Sequence, residues 1–293
     1  MGQPHKTSNA ARGAGVRLLI ADDNLVNLNV ILAHVENLGY EADVVTNGAD
    51  ALDALLRAPY ALVLMDCQMP VMDGITATVE IRRREGGHSH TPIIAVTANG
   101  NRERCLDAGM DDYLAKPVRQ QQLADAIARW IPQRPPRNSH ANGHGIEAKS
   151  EARTPGSAHT SLEEGELSGA ANAENADALT DAKISQRLSQ LSEECGAEML
   201  AGFIGMFVGD AAERLTRLHG LAAEQDVTAV EREAHNLKGS CANLGAERMA
   251  ALCHQLETEA EAGSLRSADE FLESLDSEFE RLKPLLEWET QVL

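Results

Sequence analysis

Five polar residues of complementary chemistry stand where short apolar runs end. Asp22 and Asp23 follow residues 17–21, Asp66 follows 61–65, Thr97 closes 93–97, and Lys116 follows 112–115. Read as parallel strands, these runs carry all five side chains to one rim, because the chemistry of an open parallel sheet sits beyond the carboxyl ends of its strands. Three gathered carboxylates repel one another and hold protons unless a cation joins them, and hard oxygen ligands with open positions favour Mg²⁺. Such a metal would neutralise the oxygens of an incoming phosphoryl group, while Thr97 and Lys116 supply a hydrogen bond and a positive charge. Asp66 is the best candidate nucleophile. It follows the most apolar run and precedes a tight turn from Met69-Pro70 to Asp73-Gly74 that would leave it exposed. Helix capping explains Asp23 or Asn24 alone, but not five complementary residues on strand ends.

A second centre lies far along the chain. Val227, Val230, Ala234, Leu237, Cys241 and Leu244 recur every three or four residues and define the buried stripe of a helix. His235 falls just off that stripe, so it is expected to be partly exposed, with an imidazole nitrogen available to a partner. Lys238 and Gly239 share its face: one offers charge to a phosphoryl group, the other removes bulk so that an aspartate can approach. A mid-helix glycine costs stability relative to alanine, which favours a functional explanation for Gly239. His34, His219 and His254 lack such surroundings and read as solvated or core residues.

The elements that must position these residues divide the chain. From 16 to 131, short apolar runs at 17–21, 42–46, 61–65, 93–97 and 112–115 alternate with helical stretches, the pattern of βαβ units in one parallel sheet. Residues 1–15 read as a flexible leader. From 132 to 178 the composition turns to Pro, Gly, Ser, Asn, His, Ala and Glu, a linker expected to be disordered, in which His140, His144 and His159 are solvated and bind no metal. From 179 to 293 no strand signal remains and amphipathic stripes follow one another, among them Leu200, Phe203, Phe207, Ala211, Leu215 and Leu218, so an all-α bundle is expected.

Composition removes whole classes. A formal charge of -19 lacks the basic footprint of a nucleic-acid reader. Five cysteines without a C-x-x-C pair read as reduced, mostly buried thiols. The start of the chain has no secretory apolar region, and no apolar run reaches membrane-spanning length, so a cytoplasmic protein without membrane insertion is expected.

The first domain resembles the response-regulator receiver family over nearly all of 16–131. The resemblance rests on Ala21-Asp22-Asp23-Asn24, on Met65-Asp66-Cys67-Gln68-Met69-Pro70-Val71-Met72-Asp73-Gly74, on Val96-Thr97-Ala98 and on Tyr113-Leu114-Ala115-Lys116-Pro117. It implies a flavodoxin-like, doubly wound, five-stranded sheet with Asp66 as phosphoacceptor. Asp23, Asp66 and the backbone carbonyl of Gln68 would bind Mg²⁺ directly, Asp22 largely through water. Tyr113 would be the aromatic switch responding to Thr97, and the Lys116-Pro117 bond would be cis. Asn24 and Asn27 look like those of receivers in hybrid sensor kinases. The segment Ala234-His235-Asn236-Leu237-Lys238-Gly239-Ser240 with Leu244-Gly245-Ala246 resembles the histidine-phosphotransfer domain, which implies His235 as phosphocarrier, Lys238 as phosphate stabiliser and Gly239 as clearance.

An aspartyl phosphate and a phosphohistidine exchange their phosphoryl group without ATP, so the two resemblances together imply a two-component phosphorelay. No glycine-rich nucleotide-binding segment is visible, so a sensor histidine kinase and a downstream response regulator are the expected partners, with no small-molecule substrate beyond phosphodonors. The receiver would catalyse only its own phosphorylation and dephosphorylation. The alternatives to this reading are a phosphorylation-dependent interaction switch and the C-terminal part of a hybrid sensor kinase. A phosphatase would usually carry a second acid where Gln68 stands.

Overall fold

The computed structural model describes residues 16–97, 102–131 and 169–292. Strands β1 (Arg17–Ala21), β2 (Glu41–Val45), β3 (Leu62–Asp66), β4 (Ile93–Thr97) and β5 (Asp112–Ala115) form one parallel sheet in the order β2-β1-β3-β4-β5. Helices α1 (Leu25–Asn37), α2 (Gly48–Arg57), α3 (Gly74–Glu85), α4 (Arg102–Asp107) and α5 (Gln120–Trp130) connect and flank it. Successive strand residues point to opposite faces. Leu18, Ile20, Leu64 and Val96 therefore meet Ile31 and Val35 of α1 and Leu123 and Ile127 of α5. Leu19, Val63, Met65 and Ile93 meet Leu52 of α2 and Ile81 of α3. Burial on both faces explains why β3 and β4 read as continuous apolar runs rather than alternating ones.

The strand order reverses between β1 and β3, which opens a crevice at their carboxyl ends. Asp22 and Asp23 leave β1 on one side of it, and Asp66 closes β3 on the other. The sequence expectation for the strands holds, with β2 and β3 each displaced by a single residue.

The second domain is a bundle of α6 (Gly169–Cys195), α7 (Ala197–Ala223), α8 (Val227–Leu244), α9 (Glu247–Glu261) and α10 (Ala268–Val292). Helix α6 begins inside the stretch read from composition as linker. The rest of that stretch, with His140, His144 and His159, lies outside the described residues, as does the leader at 1–15. The stripe from Leu200 to Leu218 is buried throughout. Gly245 ends α8 in the left-handed region at φ 78°, where its missing side chain removes the steric cost of that conformation.

Helix α1 belongs to both domains. While Ile31 and Val35 pack on the sheet, Val26, Val30 and Ala33 join the same apolar cluster as Phe203, Phe207 and Leu237 of the bundle. A helix that is apolar on two faces must bury both. All five cysteines are free thiols and four of them are buried. Among the described residues no helix is long and apolar enough to cross a membrane.

Candidate functional site

The α/β domain brings its strand-end residues together. Asp22, Asp23 and Asp66 each offer a carboxylate oxygen within 4.8 Å of the others. Lys116 Nζ donates to Asp66 Oδ2 at 2.6 Å and pairs with Asp22 Oδ2 at 2.9 Å. The Lys116-Pro117 bond is cis. Thr97 closes β4, buried, with its side chain hydrogen-bonded to Cys67. Gln68 follows Asp66 and sends its backbone N–H back to Asp66 Oδ1 at 3.2 Å. The turn after Asp66 is closed by Gly74, where a Cβ would lie 2.0 Å from the Asp66 carbonyl oxygen, so no side chain fits. Tyr113 is half-exposed beneath the guanidinium of Arg102, 5.0 Å from the ring centre.

Asp66 is not exposed as its turn suggested; only 1% of its surface meets solvent. Lys116 lies against one oxygen, and the bundle covers the crevice. Burial pushes the Asp66 carboxyl above the ordinary carboxylate range, Lys116 opposing and Asp22 adding to the rise. The Asp23 carboxyl is raised as well, by burial and by Asp22. Its Oδ1 is buried without a hydrogen-bond partner among the described residues. Three hard oxygen donors, two of them held toward protonation and one with a buried oxygen lacking any partner, fit a divalent cation of the Mg²⁺ kind.

On the bundle, His235 is 7% exposed, which corrects the expectation of a partly open imidazole. Helix α8 is covered by α7, by α9 and by α1 of the other domain, so a residue just off its apolar stripe still ends up enclosed. Glu257 on α9, which the sequence reading missed, accepts from His235 Nδ1 at 2.6 Å and also binds Lys238. Burial alone would raise the Glu257 carboxyl, but the hydrogen bonds from His235 and Lys238 outweigh it and hold it down at about 2. An ionised carboxylate only accepts, so Nδ1 carries a proton, and Nε2 is the ring nitrogen that Glu257 does not engage. A signal for Glu257 was present: it stands four residues beyond Cys253 on the buried face of α9, where an acid needs a partner.

Amides join the two centres. Asn24 caps α1 with its side-chain oxygen, accepting from Val26 and Asn27, while its Nδ2 donates to the Asn236 carbonyl at 2.8 Å and to Ser240 Oγ at 2.6 Å. Asn236 Nδ2 donates to Asp23 Oδ2 at 2.8 Å, and Asn243 Nδ2 to Asn27 Oδ1 at 2.5 Å. A Cβ at Gly239 would stand 3.1 Å from Asn27 Nδ2, so the clearance expected for an aspartate is used by this asparagine. His235 is near enough to Asp66 for its charge to favour the ionised carboxylate.

Compared with known protein families, residues 18–128 match the response regulator receiver domain and residues 202–284 match the Hpt domain. The chain joins a receiver to an Hpt domain. It is 31% identical over 273 residues to the sensor protein GacS of Pseudomonas syringae pv. syringae, covering 91% of this chain and 27% of that one. It is 31% identical over 265 residues to the signal transduction histidine-protein kinase BarA of Escherichia coli K12, covering 88% of this chain and 26% of that one. The chain thus spans about a quarter of the length of these two relatives. The crystal structure of the receiver domain of sensor histidine kinase PA1611 from Pseudomonas aeruginosa PAO1, with magnesium coordinated in its active-site cleft, shares 48% identity. It covers 40% of this chain and 98% of that one, with a TM-score of 0.38. In this receiver the acidic triad lies under the Hpt helix that carries His235. The other histidines behave as their surroundings suggested: His34 is buried, whereas His219 and His254 pair with Asp276 and Glu257 near the surface.

Proposed function

We propose that this chain is a two-component phosphorelay protein in which Asp66 and His235 carry the phosphoryl group and exchange it within one molecule. The observation that carries the reading is the amide lattice between α1 and α8, which holds the two phosphoacceptor sites face to face. Domain 16–131 and the bundle that begins with α6 would be the two carriers, with the chain between them as tether.

In this reading Glu257 keeps the proton of His235 on Nδ1, so Nε2 is the atom that takes and returns the phosphoryl group. Lys116 draws charge from the phosphoryl oxygens on the receiver side and Thr97 donates a hydrogen bond there, while Lys238 stands beside them on the Hpt side. Asp23, Asp66 and the Gln68 carbonyl would hold Mg²⁺ and Asp22 would act through water; when bound, the ion neutralises the charge shared by the transferring group. Tyr113 would report the state of Thr97. No ATP enters the exchange, and the receiver's own catalysis is limited to gaining and losing phosphate. A sensor histidine kinase upstream and a response regulator downstream are the partner classes, in the cytoplasm.

The tether, at most residues 132–168 because α6 begins at Gly169, would keep the partners at an effective concentration approaching the millimolar range, so transfer in cis should outrun transfer between molecules. The test labels Asp66 from acetyl phosphate and follows acid-labile phosphohistidine at increasing dilution. The intact chain is compared with an equimolar mixture of Asp66→Asn and His235→Gln chains. A rate independent of dilution in the intact chain, and a slower, dilution-sensitive rate in the mixture, is expected. Equal loss on dilution in both would overturn transfer in cis, and label that never reaches His235 would leave a binding switch instead.

A further inference from the structure

We infer that the cleft between the two domains, walled by Arg119 of the receiver and by Lys183 and Arg187 of the Hpt domain, binds a small phosphate-bearing polyanion that bridges them. The inference rests on the docked arrangement of the domains, not on the relay chemistry. The cleft encloses ≈ 770 Å³, within the range of small-ligand sites. Lys116, Arg119, Lys183, Arg187, Lys238 and His254 line it against one carboxylate, Glu247, although the whole chain carries a formal charge of -19.

Most of these groups are already employed. Lys116 pairs with Asp22 and Asp66, Lys183 with Glu247, and Lys238 and His254 with Glu257. Arg119 is not, and Arg187 is employed only in part. Arg119 is exposed and makes no salt bridge among the described residues. Arg187 is the decisive group, because its side chain is only 10% exposed and stands beside Glu194 Oε2 at 4.0 Å from Nη1, beyond hydrogen-bond reach. Its Nε donates to the Asn243 carbonyl at 3.1 Å. Both Nη1 and Nη2 are buried without a hydrogen-bond partner among the described residues.

A buried guanidinium with two unanswered NH₂ groups is costly, and its planar fork matches the oxygens of a phosphate in a way an ammonium does not. Burial, followed by the like charge of Arg119 across the domain boundary, disfavours its cationic form even with Glu194 opposing. An anion between the arginines would relieve both penalties. A phosphate group offers oxygens in several directions and so can answer Arg119, Arg187 and Lys183 together, whereas one carboxylate matches a single fork. Because its ligands come from both domains, such an anion binds the docked state and stabilises it by mass action.

The test uses the full chain without Mg²⁺, so that the bare acidic triad repels anions, and inorganic pyrophosphate as probe at fixed ionic strength. Isothermal titration should show one site. Arg187→Gln should weaken it at least about tenfold, as loss of charge-assisted hydrogen bonds does. Arg119→Gln should also weaken it, and as an exposed position it leaves folding intact should the Arg187 variant prove unstable. Val30→Asp, which places a charge in the shared apolar contact and separates the domains, should abolish binding. No titratable site in the wild-type chain, an unchanged affinity in Arg119→Gln, or an equal response to chloride would overturn the inference. Full affinity in Val30→Asp would overturn the bridging. Arginine-dependent binding in a chain that fails to transfer phosphate would sustain the cleft while removing the relay in cis.

Discussion

Asn236 Nδ2 donates to Asp23 Oδ2 across 2.8 Å, so the chain neighbour of His235 holds a carboxylate of the opposing acidic triad. The contact uses the oxygen of Asp23 that leaves Oδ1 for a cation. Asn236→Ala should therefore leave acetyl-phosphate labelling of Asp66 intact and slow its passage to His235. Asn24→Ala should slow the passage too and also cost about 1 kcal/mol of receiver stability, because the same side chain caps α1. Single-turnover transfer and thermal melts of both variants separate the two effects; identical behaviour of the pair would contradict the double role of Asn24.

Glu257 binds both His235 and Lys238, and its substitutions should grade by what they preserve. Glu257→Gln keeps an acceptor for Nδ1–H and should retain part of the transfer rate. Glu257→Ala removes it and should slow transfer about tenfold or more, the range seen when an orienting partner is lost. Nitrogen NMR of the imidazole should show the proton on Nδ1 in the wild-type chain and mixed tautomers in Glu257→Ala. Unchanged tautomers with slowed transfer would assign Glu257 a charge effect alone.

Gly239→Ala should act with opposite signs on stability and on transfer. Alanine favours the interior of α8 by about 1 kcal/mol. Its Cβ would stand 3.1 Å from Asn27 Nδ2, which donates to Asp22 Oδ1 at 3.5 Å while Asn27 Oδ1 accepts from Asn243, so α1 must shift. A melting temperature equal to or above that of the wild type, together with slower transfer in cis, is expected. A lowered melting temperature would show that the glycine serves the bundle itself.

Acid should loosen the docked state through His34. Burial, aided by Arg187, holds this imidazole near a pKa of about 4 instead of 6.5, even with Glu194 Oε2 3.6 Å away. The exposed ring takes a proton below pH 6.5 while the docked ring stays neutral. The contribution is therefore intact above pH 6.5 and lost as pH falls from 6.5 toward 4, by at most roughly 3 kcal/mol. Denaturant melts across that window should steepen their loss of stability in the wild type relative to His34→Gln. Parallel pH profiles for the two would remove His34 from the account.

Residue types at strand ends were sufficient to locate the acidic triad with Thr97 and Lys116, because a parallel sheet delivers those ends to one rim whatever else the chain does. The spacing of His235, Lys238 and Gly239 on one helical face was equally legible, since i, i+3 and i+4 relations are local geometry. Burial was not. Asp66 and His235 both read as accessible, and both are enclosed, because each domain covers the other's site. The pairing of Glu257 with His235, the amide contacts of Asn24 and Asn27 with α8, and the two apolar faces of α1 link residues as many as 216 positions apart. Helical periodicity states which face of a helix is apolar but not which partner covers it. Arg187 shows the same limit, for the meeting of α6 with the receiver sets Arg119 before its buried guanidinium.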